Sequence, residues 1–363
     1  MTTRLRYLPD YSTSNPYQRM LYRRCAAHDI EVRPIAVREL AELAAAPQGD
    51  LTVVHVHWTN PIVQRYSDPL DARRSMRTFL HEVDRLRGEG AVLLWTIHNV
   101  LPHDHRHHLL ELELHRALAE RADLVHVLTA RTIDATRHDY RLDESRVVHV
   151  AHSTFEGEYP AAMPRAQARQ QLGLRDDDDV IVMAGALRPY RGAARLLDAL
   201  ELLAADGQRP RLLLGGRSIG DDSMLSVLDR ARRLPHVTLV DDGLDEAGLA
   251  LWMSAADIAA MPYESILNSG SFGLALTYGL PIVAPAEGAL LDDADEPFVH
   301  LYPPRDTSAL AEALRSALRR DTLESRRLAA RTAAVHRSPD RMARDFASGL
   351  TSRLRSLTGR PLD

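Results

Sequence analysis

The chain has 363 residues, 45% of them apolar and 26% charged, with a formal net charge of -5. That length favours two domains over one, and the mildly acidic balance gives no reason to expect nucleic acid as a partner. Apart from histidine every basic side chain is arginine, and Cys25 is the only cysteine, which excludes a lysine Schiff base, a P-loop lysine, an intrachain disulfide and a cysteine-based zinc site.

The N-terminus lacks the apolar core of a signal peptide, and no apolar run reaches membrane-spanning length. The reading is a cytoplasmic protein. In chain order, "RLRYLP" reads as a first strand and "LTVVHVHW" as a buried one. The segment 68–90 follows as a helix, with Met76, Phe79, Leu80, Val83 and Leu86 at helical spacing. "AVLLWTIHN", "DLVHVLT" and "RVVHVAH" are further strands, separated by helices over 108–122 and 130–140. This repeated β-then-α order predicts a parallel sheet covered by helices.

The segment 153–179, rich in Pro, Gly and charge, reads as an interdomain connection. A second series then begins. Strands "DVIVMAGA", "RLLLGG", "VTLVDDG", "DIAAMPY" and "PIVAP" alternate with helices, and the remainder reads as helical. Ser338 and Pro339 form a good start for the last helix. The expected division is residues 1–160, residues 161–335 and a final helix over 336–363.

In sheets of this kind ligands sit outside the carboxyl ends of the strands. After "VIVMAGA" a short loop carries Arg188 and Arg191, and a helix starts after Gly192. Free N–H groups at a helix start, together with guanidinium groups, suit phosphate. Glu264 follows a later strand. The run Asn268, Ser269, Gly270 and Ser271 then opens another helix, a second seat for an anion. Taken singly, each stretch also reads as a polar loop and a capped helix.

Together, "GALRPYRG", "LLLGG", "MSAADIAAMPYE" and "SGSFGLALTYGLPIVAP" resemble the C-terminal domain of GT-B glycosyltransferases of the group-1, family-4-like type. The resemblance covers most of residues 180–286. It implies an α/β fold of two Rossmann-like domains facing across a cleft, with the nucleotide sugar held by the second domain. The family's basic Lys is Arg191 here. Of the family's two glutamates eight positions apart, Glu264 matches the first, which implies contact with the donor sugar. Phe272 stands at the second, which normally serves the ribose. The N-terminal half, through "VHVHWTNP", "WTIHNVLPH" and "VAHSTFEGEYP", resembles bacterial exopolysaccharide glycosyltransferases, some of them GDP-mannose-dependent β-mannosyltransferases.

Five histidines crowd the stretch ending at His108. A metal site is disfavoured, because neither H-E-x-x-H nor a complete HxHxDH is present. His105, His107 and His108 read as a solvated loop. The resemblance instead singles out His98, at a strand end, near the anomeric carbon and the acceptor hydroxyl. Asp104 is the nearby carboxylate for a general base should the enzyme invert. Asn15, Tyr17, His57, Trp58, Asn99, His103 and His152 are expected to line the cleft or its acceptor side, the loop with Asn15 and Tyr17 approaching either the donor phosphates or the acceptor. The implied reaction is metal-independent hexosyl transfer in polysaccharide biosynthesis. It needs no cofactor beyond the nucleotide sugar, and the acceptor is a glycan, glycolipid or small-molecule hydroxyl. The helix bearing Arg73, Arg74 and Arg77 reads as a solvated face that could also touch anionic lipid at the inner face of a membrane. A GT-B-fold epimerase and a non-catalytic sugar-nucleotide-binding partner of another transferase stay open as alternatives.

Overall fold

Runs of Val, Leu and Ile with both faces covered form the centre of each half of the protein, as expected for strands that helices flank on two sides. The computed structural model describes residues 2–43, 50–102, 106–218 and 222–359. These fold into two compact units, one of residues 1–152 with 339–363 and one of residues 153–338.

The first unit holds six parallel strands: β1 (Thr3–Leu8), β2 (Ile30–Pro34), β3 (Leu51–Val56), β4 (Val92–Ile97), β5 (Leu124–Val127) and β6 (Val147–His149). Their spatial order is β2-β1-β3-β4-β5-β6. A short helix, α1 (Tyr17–Leu21), follows β1. The long α2 (Pro69–Gly88) starts on an Asp68 cap whose side chain accepts from the Leu70 N–H, with proline in its first turn. Its buried stripe is Ala72, Met76, Phe79, Val83 and Leu86. Leu80, expected in that stripe, is only half-buried. Helices α3 (His108–Arg121) and α4 (Thr132–Thr136) complete the crossovers.

The second unit repeats the architecture. A helix α5 (Arg165–Leu172) leads into β7 (Val180–Ala184), α6 (Ala193–Ala205), β8 (Arg211–Gly215), α7 (Asp222–Arg233) and β9 (Val237–Val240). Then come α8 (Glu246–Ala255), β10 (Ile258–Ala260), α9 (Gly270–Thr277), β11 (Ile282–Pro285) and β12 (Val299–Tyr302). The strand order is β12-β11-β10-β7-β8-β9, again all parallel. Helices α10 (Thr307–Ala317) and α11 (Arg320–Val335) close this unit, and α12 (Pro339–Thr358) belongs to the first.

Two expectations need correction. The remainder after residue 285 is not wholly helical, because β12 extends the second sheet beside β11. The charged segment 153–179 is not simply a connection, because it contains α5. Arg169 of that helix is 2% exposed and donates to the carbonyls of Ala255, Asp176 and Asp178 and to Asp257 Oδ2 at 2.8 Å. Asp257 in turn accepts from the Val180 N–H and from Arg165. A buried charge persists only when paired and hydrogen-bonded in this way, and the network ties α5 to the start of β7.

Each sheet has one point where the strand order reverses, between β1 and β3 in the first unit and between β7 and β10 in the second. Loops leaving the carboxyl ends of strands on the two sides of such a point splay apart and leave a crevice.

Candidate active site

In the second unit the loops after β7 and β10 flank the reversal point. The β7 loop turns back on itself at Gly192, whose φ is 77° and which begins α6. A Cβ there would lie 1.7 Å from the Pro262 carbonyl oxygen, so only glycine lets the two loops touch. Gly216, after β8, is under the same constraint: its Cβ would lie 2.0 Å from the Gly185 oxygen. This close backbone approach fixes Arg191. Its side chain is buried, and one terminal N–H group donates to the Ala184 carbonyl at 2.9 Å and to Ser271 Oγ at 3.0 Å. The guanidinium lies over the Tyr263 ring, 5.4 Å from its centroid. Burial leaves Arg191 Nε without a hydrogen-bond partner among the described residues.

Ser271 lies in the first turn of α9. Ser269 caps that helix by accepting from the Phe272 N–H at 3.2 Å and also meets the Tyr263 hydroxyl at 3.0 Å. The Glu264 N–H donates to the Tyr190 carbonyl, which places Glu264 beside the β7 loop. Its carboxylate is gripped by Arg195 of α6, with Nε to Oε1 at 3.1 Å and a terminal nitrogen to Oε2 at 2.7 Å. Arg188 and Asn268 are half-buried on the same two loops. The structure thus gathers Arg191, Gly192, Glu264, Ser269, Gly270 and Ser271 at one crevice. Arg195, which the sequence reading did not single out, is the partner of Glu264. The Phe272 ring lies 5.7 Å from the Arg337 guanidinium carbon.

In the first unit the corresponding crevice gathers aromatic rings. His57 directly follows β3 and His98 directly follows β4. The His98 ring stacks on Trp58 at 4.1 Å and 12°, and Tyr17 meets it edge-on at 5.1 Å. Tyr17 also lies 5.2 Å from His152 and 6.0 Å from His57. Asn15 holds the start of α1 by accepting from the Tyr17 N–H at 3.0 Å. Asn99 lines a small pocket with Trp58 and His98. His103 and Asp104 lie outside the described residues.

Behind these rings runs a chain of polar side chains that the sequence reading missed apart from His57 and His98. His98 Nε2 meets His57 Nδ1 at 3.2 Å, and His57 Nε2 meets the Tyr22 hydroxyl at 2.6 Å. That hydroxyl meets His55 Nδ1 at 2.7 Å, and His55 Nε2 meets Thr96 Oγ1 at 2.7 Å. Thr96 Oγ1 meets His126 Nδ1 at 3.0 Å, and His126 Nε2 reaches the Val150 carbonyl at 3.3 Å. Strand register explains the alignment, because Thr96 pairs with His126 and His55 with Leu94, two residues from Thr96. Phe346 of α12 packs on the His55, Tyr22 and His126 rings. Burial, reinforced by neighbouring imidazoles, holds His55, His57 and His98 well below the ordinary histidine pKa. Burial also lowers His126 to about 4. The period-2 alternation in "VHVHW" was the available signal, since it puts His55 and His57 on one face.

Residues 164–334 match the family of glycosyl transferases group 1. The chain is a glycosyltransferase. Over 314 residues it is 25% identical to a GDP-mannose:glycolipid 4-beta-D-mannosyltransferase of Xanthomonas campestris pv. campestris, covering 84% of this chain and 80% of that one. A shorter match, 38% identical over 138 residues, joins 35% of the chain to 31% of a D-inositol 3-phosphate glycosyltransferase of Jonesia denitrificans. Among solved structures, sucrose-phosphate synthase from Thermosynechococcus elongatus superposes with a TM-score of 0.72 at 17% identity, covering 99% of this chain and 100% of that one. The glycosyltransferase WaaG does so at 0.64 and 15% identity, covering 99% and 100%. The fold is the GT-B fold, with two parallel six-stranded sheets. In this glycosyltransferase the crevice around Arg191 lies within the matched residues, whereas the histidine chain lies outside them. Among the described residues no helix is long and apolar enough to cross a membrane.

Proposed function

We propose that this glycosyltransferase moves a hexose from a nucleotide diphosphate sugar to a hydroxyl of a glycan, glycolipid or small-molecule acceptor. GDP-mannose is the favoured donor, with UDP- and dTDP-sugars as alternatives. The observation that carries the donor half is Arg191, buried at the reversal point and bonded to the first turn of α9 through Ser271. The mannosyltransferase similarity over 84% of the chain supports GDP-mannose and a glycolipid acceptor.

In the proposed step the acceptor oxygen bonds to the anomeric carbon while the bond from that carbon to the phosphate oxygen breaks. The nucleoside diphosphate leaves with the electron pair, and the acceptor proton passes to His98. Arg191, Arg188 and the N–H groups opening α9 stabilise the charge that grows on the diphosphate. Guanidinium charge serves where other transferases use a divalent cation, so the reaction needs no metal and no further cofactor. Glu264 keeps lone pairs beyond the two that Arg195 engages, and these accept hydroxyls of the donor sugar. The ring surfaces of Trp58 and Tyr17, with Asn15, Asn99 and His152, shape the acceptor side. A glycolipid acceptor would bring the enzyme to the inner face of a membrane through exposed arginines of α2.

The test is a thermal-shift panel of GDP-mannose with UDP-, dTDP- and ADP-sugars, since a ligand bound only by the folded state raises the melting temperature. GDP-mannose should give the largest shift. Arg191→Gln should weaken donor binding about ten- to a hundredfold, the value of a charge-assisted contact to phosphate, whereas Arg191→Lys should retain part of it. A full shift in Arg191→Gln refutes the phosphate role. Nucleotide binding without sugar transfer across acceptors refutes the enzymatic one.

A further inference from the structure

The buried polar chain of the first unit has one end that cannot reverse. The Val150 carbonyl only accepts, so His126 must present Nε2–H to it. A neutral imidazole with Nε2–H carries its lone pair on Nδ1, so the Thr96 hydroxyl must donate there. Thr96 has one hydrogen, so its oxygen accepts from His55 Nε2–H. The same reasoning makes Tyr22 donate to His55 Nδ1 and accept from His57 Nε2–H, and makes His98 Nε2–H donate to His57 Nδ1. Running the chain the other way would set the lone pair of His126 against a carbonyl oxygen, two acceptors in a buried site, which costs the desolvation of both.

We infer that the Val150 carbonyl sets the tautomer of His98 through this chain, so that Nδ1 of His98 is the basic nitrogen. His126, Thr96, His55, Tyr22 and His57 are then positioning residues that hold it so. The catalytic meaning of the tautomer rests on the proposed role of His98 as the group that takes the acceptor proton; the tautomer itself does not. The deduction needs every imidazole to be neutral, and burial supplies that condition. A base whose lone pair alternates between two ring nitrogens offers the correct one only part of the time, and a fixed tautomer removes that loss.

The test uses the full chain with 15N-labelled histidine, in which ring-nitrogen shifts distinguish protonated from bare nitrogen. His98→Gln assigns the His98 signals. At pH 7 the wild type should show His98 with Nε2 protonated and Nδ1 bare. Tyr22→Phe and Thr96→Val each remove one link and should convert the His98 signals to a tautomer mixture, with kcat lowered in proportion to the lost tautomer, about twofold for an even mixture, and KM nearly unchanged. Thr96→Ser, which keeps the hydroxyl, should rescue the signals and the rate relative to Thr96→Val. Protonated Nδ1 in wild-type His98 overturns the inference on that spectrum alone, even if every variant were to misfold. Signals unchanged in both link variants overturn it as well. Signals that shift as stated while kcat stays constant uphold the chain and refute His98 as the base.

Discussion

The two units are both six-stranded parallel sheets with one reversal of strand order, and they differ in what they bury. Behind the crevice of the first unit lie neutral imidazoles, a phenol and a hydroxyl joined in a line. The second unit buries guanidinium groups: Arg169 paired to Asp257, Arg327 on the Ala256 carbonyl, and Arg191 at the crevice itself. Arginine stays charged at every physiological pH, while histidine changes state within reach of it. Under the proposed function, one unit holds an anion with fixed charge and the other handles a proton. A single parallel-sheet frame supports both because the chemistry sits on the strand ends and their loops.

This contrast can be broken in three places. The largest effect is expected at His98. His98→Gln should lower kcat by about 100- to 10,000-fold, the range for removing a proton acceptor, while leaving the donor-induced thermal shift intact. Loss of donor binding in His98→Gln would erase the division of labour. The second effect is on stability. Asp257→Asn leaves Arg169 buried with its charge uncompensated and should destabilise the second unit by about 3–5 kcal/mol, read from chemical denaturation followed by hydrogen exchange. A change below about 1 kcal/mol would mean that the Arg169 carbonyl contacts suffice alone.

The smallest and most diagnostic effect is the pH response. Among the described residues, burial lowers the pKa of His55, His57, His98, His115 and His126 in the first unit, against His236 and His300 in the second. A group whose folded pKa is depressed binds its proton more readily when unfolded. Stability is therefore undiminished above about pH 6.5 and is lost as pH falls from there through the folded value. For His115 and His126 that window runs down to about 4. Hydrogen exchange, corrected for its intrinsic pH dependence, should show β3, β4 and β5 losing protection before β7, β8 and β10 between pH 6.5 and 4.5. The acid limb of kcat/KM should correspondingly lie well below pH 6.5, since His57, His126 and His152 all add to burial in disfavouring the His98 cation. Equal loss of protection in the two sheets would show that the histidine chain carries no special acid sensitivity.

Much of this was legible in the sequence. Buried strands with long apolar runs and the amphipathic α2 announce themselves through periodicity, and Arg191, Ser271 and Glu264 could be placed because loops at strand ends are local features. Two of the four edge strands were harder. β2 ends in a proline, and β12 is four residues set between loops, so neither offers enough alternation to separate from coil. α5 was masked by its own composition, since Arg169 counts as a surface residue until Asp257, 88 positions away, is known to meet it. The histidine chain was invisible for the same reason. Tyr22 meets residues 33 and 35 positions away, and Thr96 meets one 41 positions away. Each member looks like a polar interruption until strand register aligns them. Glu264 was placed correctly on its loop, but its partner Arg195 is the third residue of α6, just past the loop that carries Arg188 and Arg191.

The last acceptor in the histidine line belongs to the main chain. A peptide oxygen is present whatever side chain occupies position 150, so substitution there can alter packing but cannot delete the anchor. Genetic drift can cut the line only at its five interior members, and the oxygen that orients them is the one component beyond the reach of a missense change.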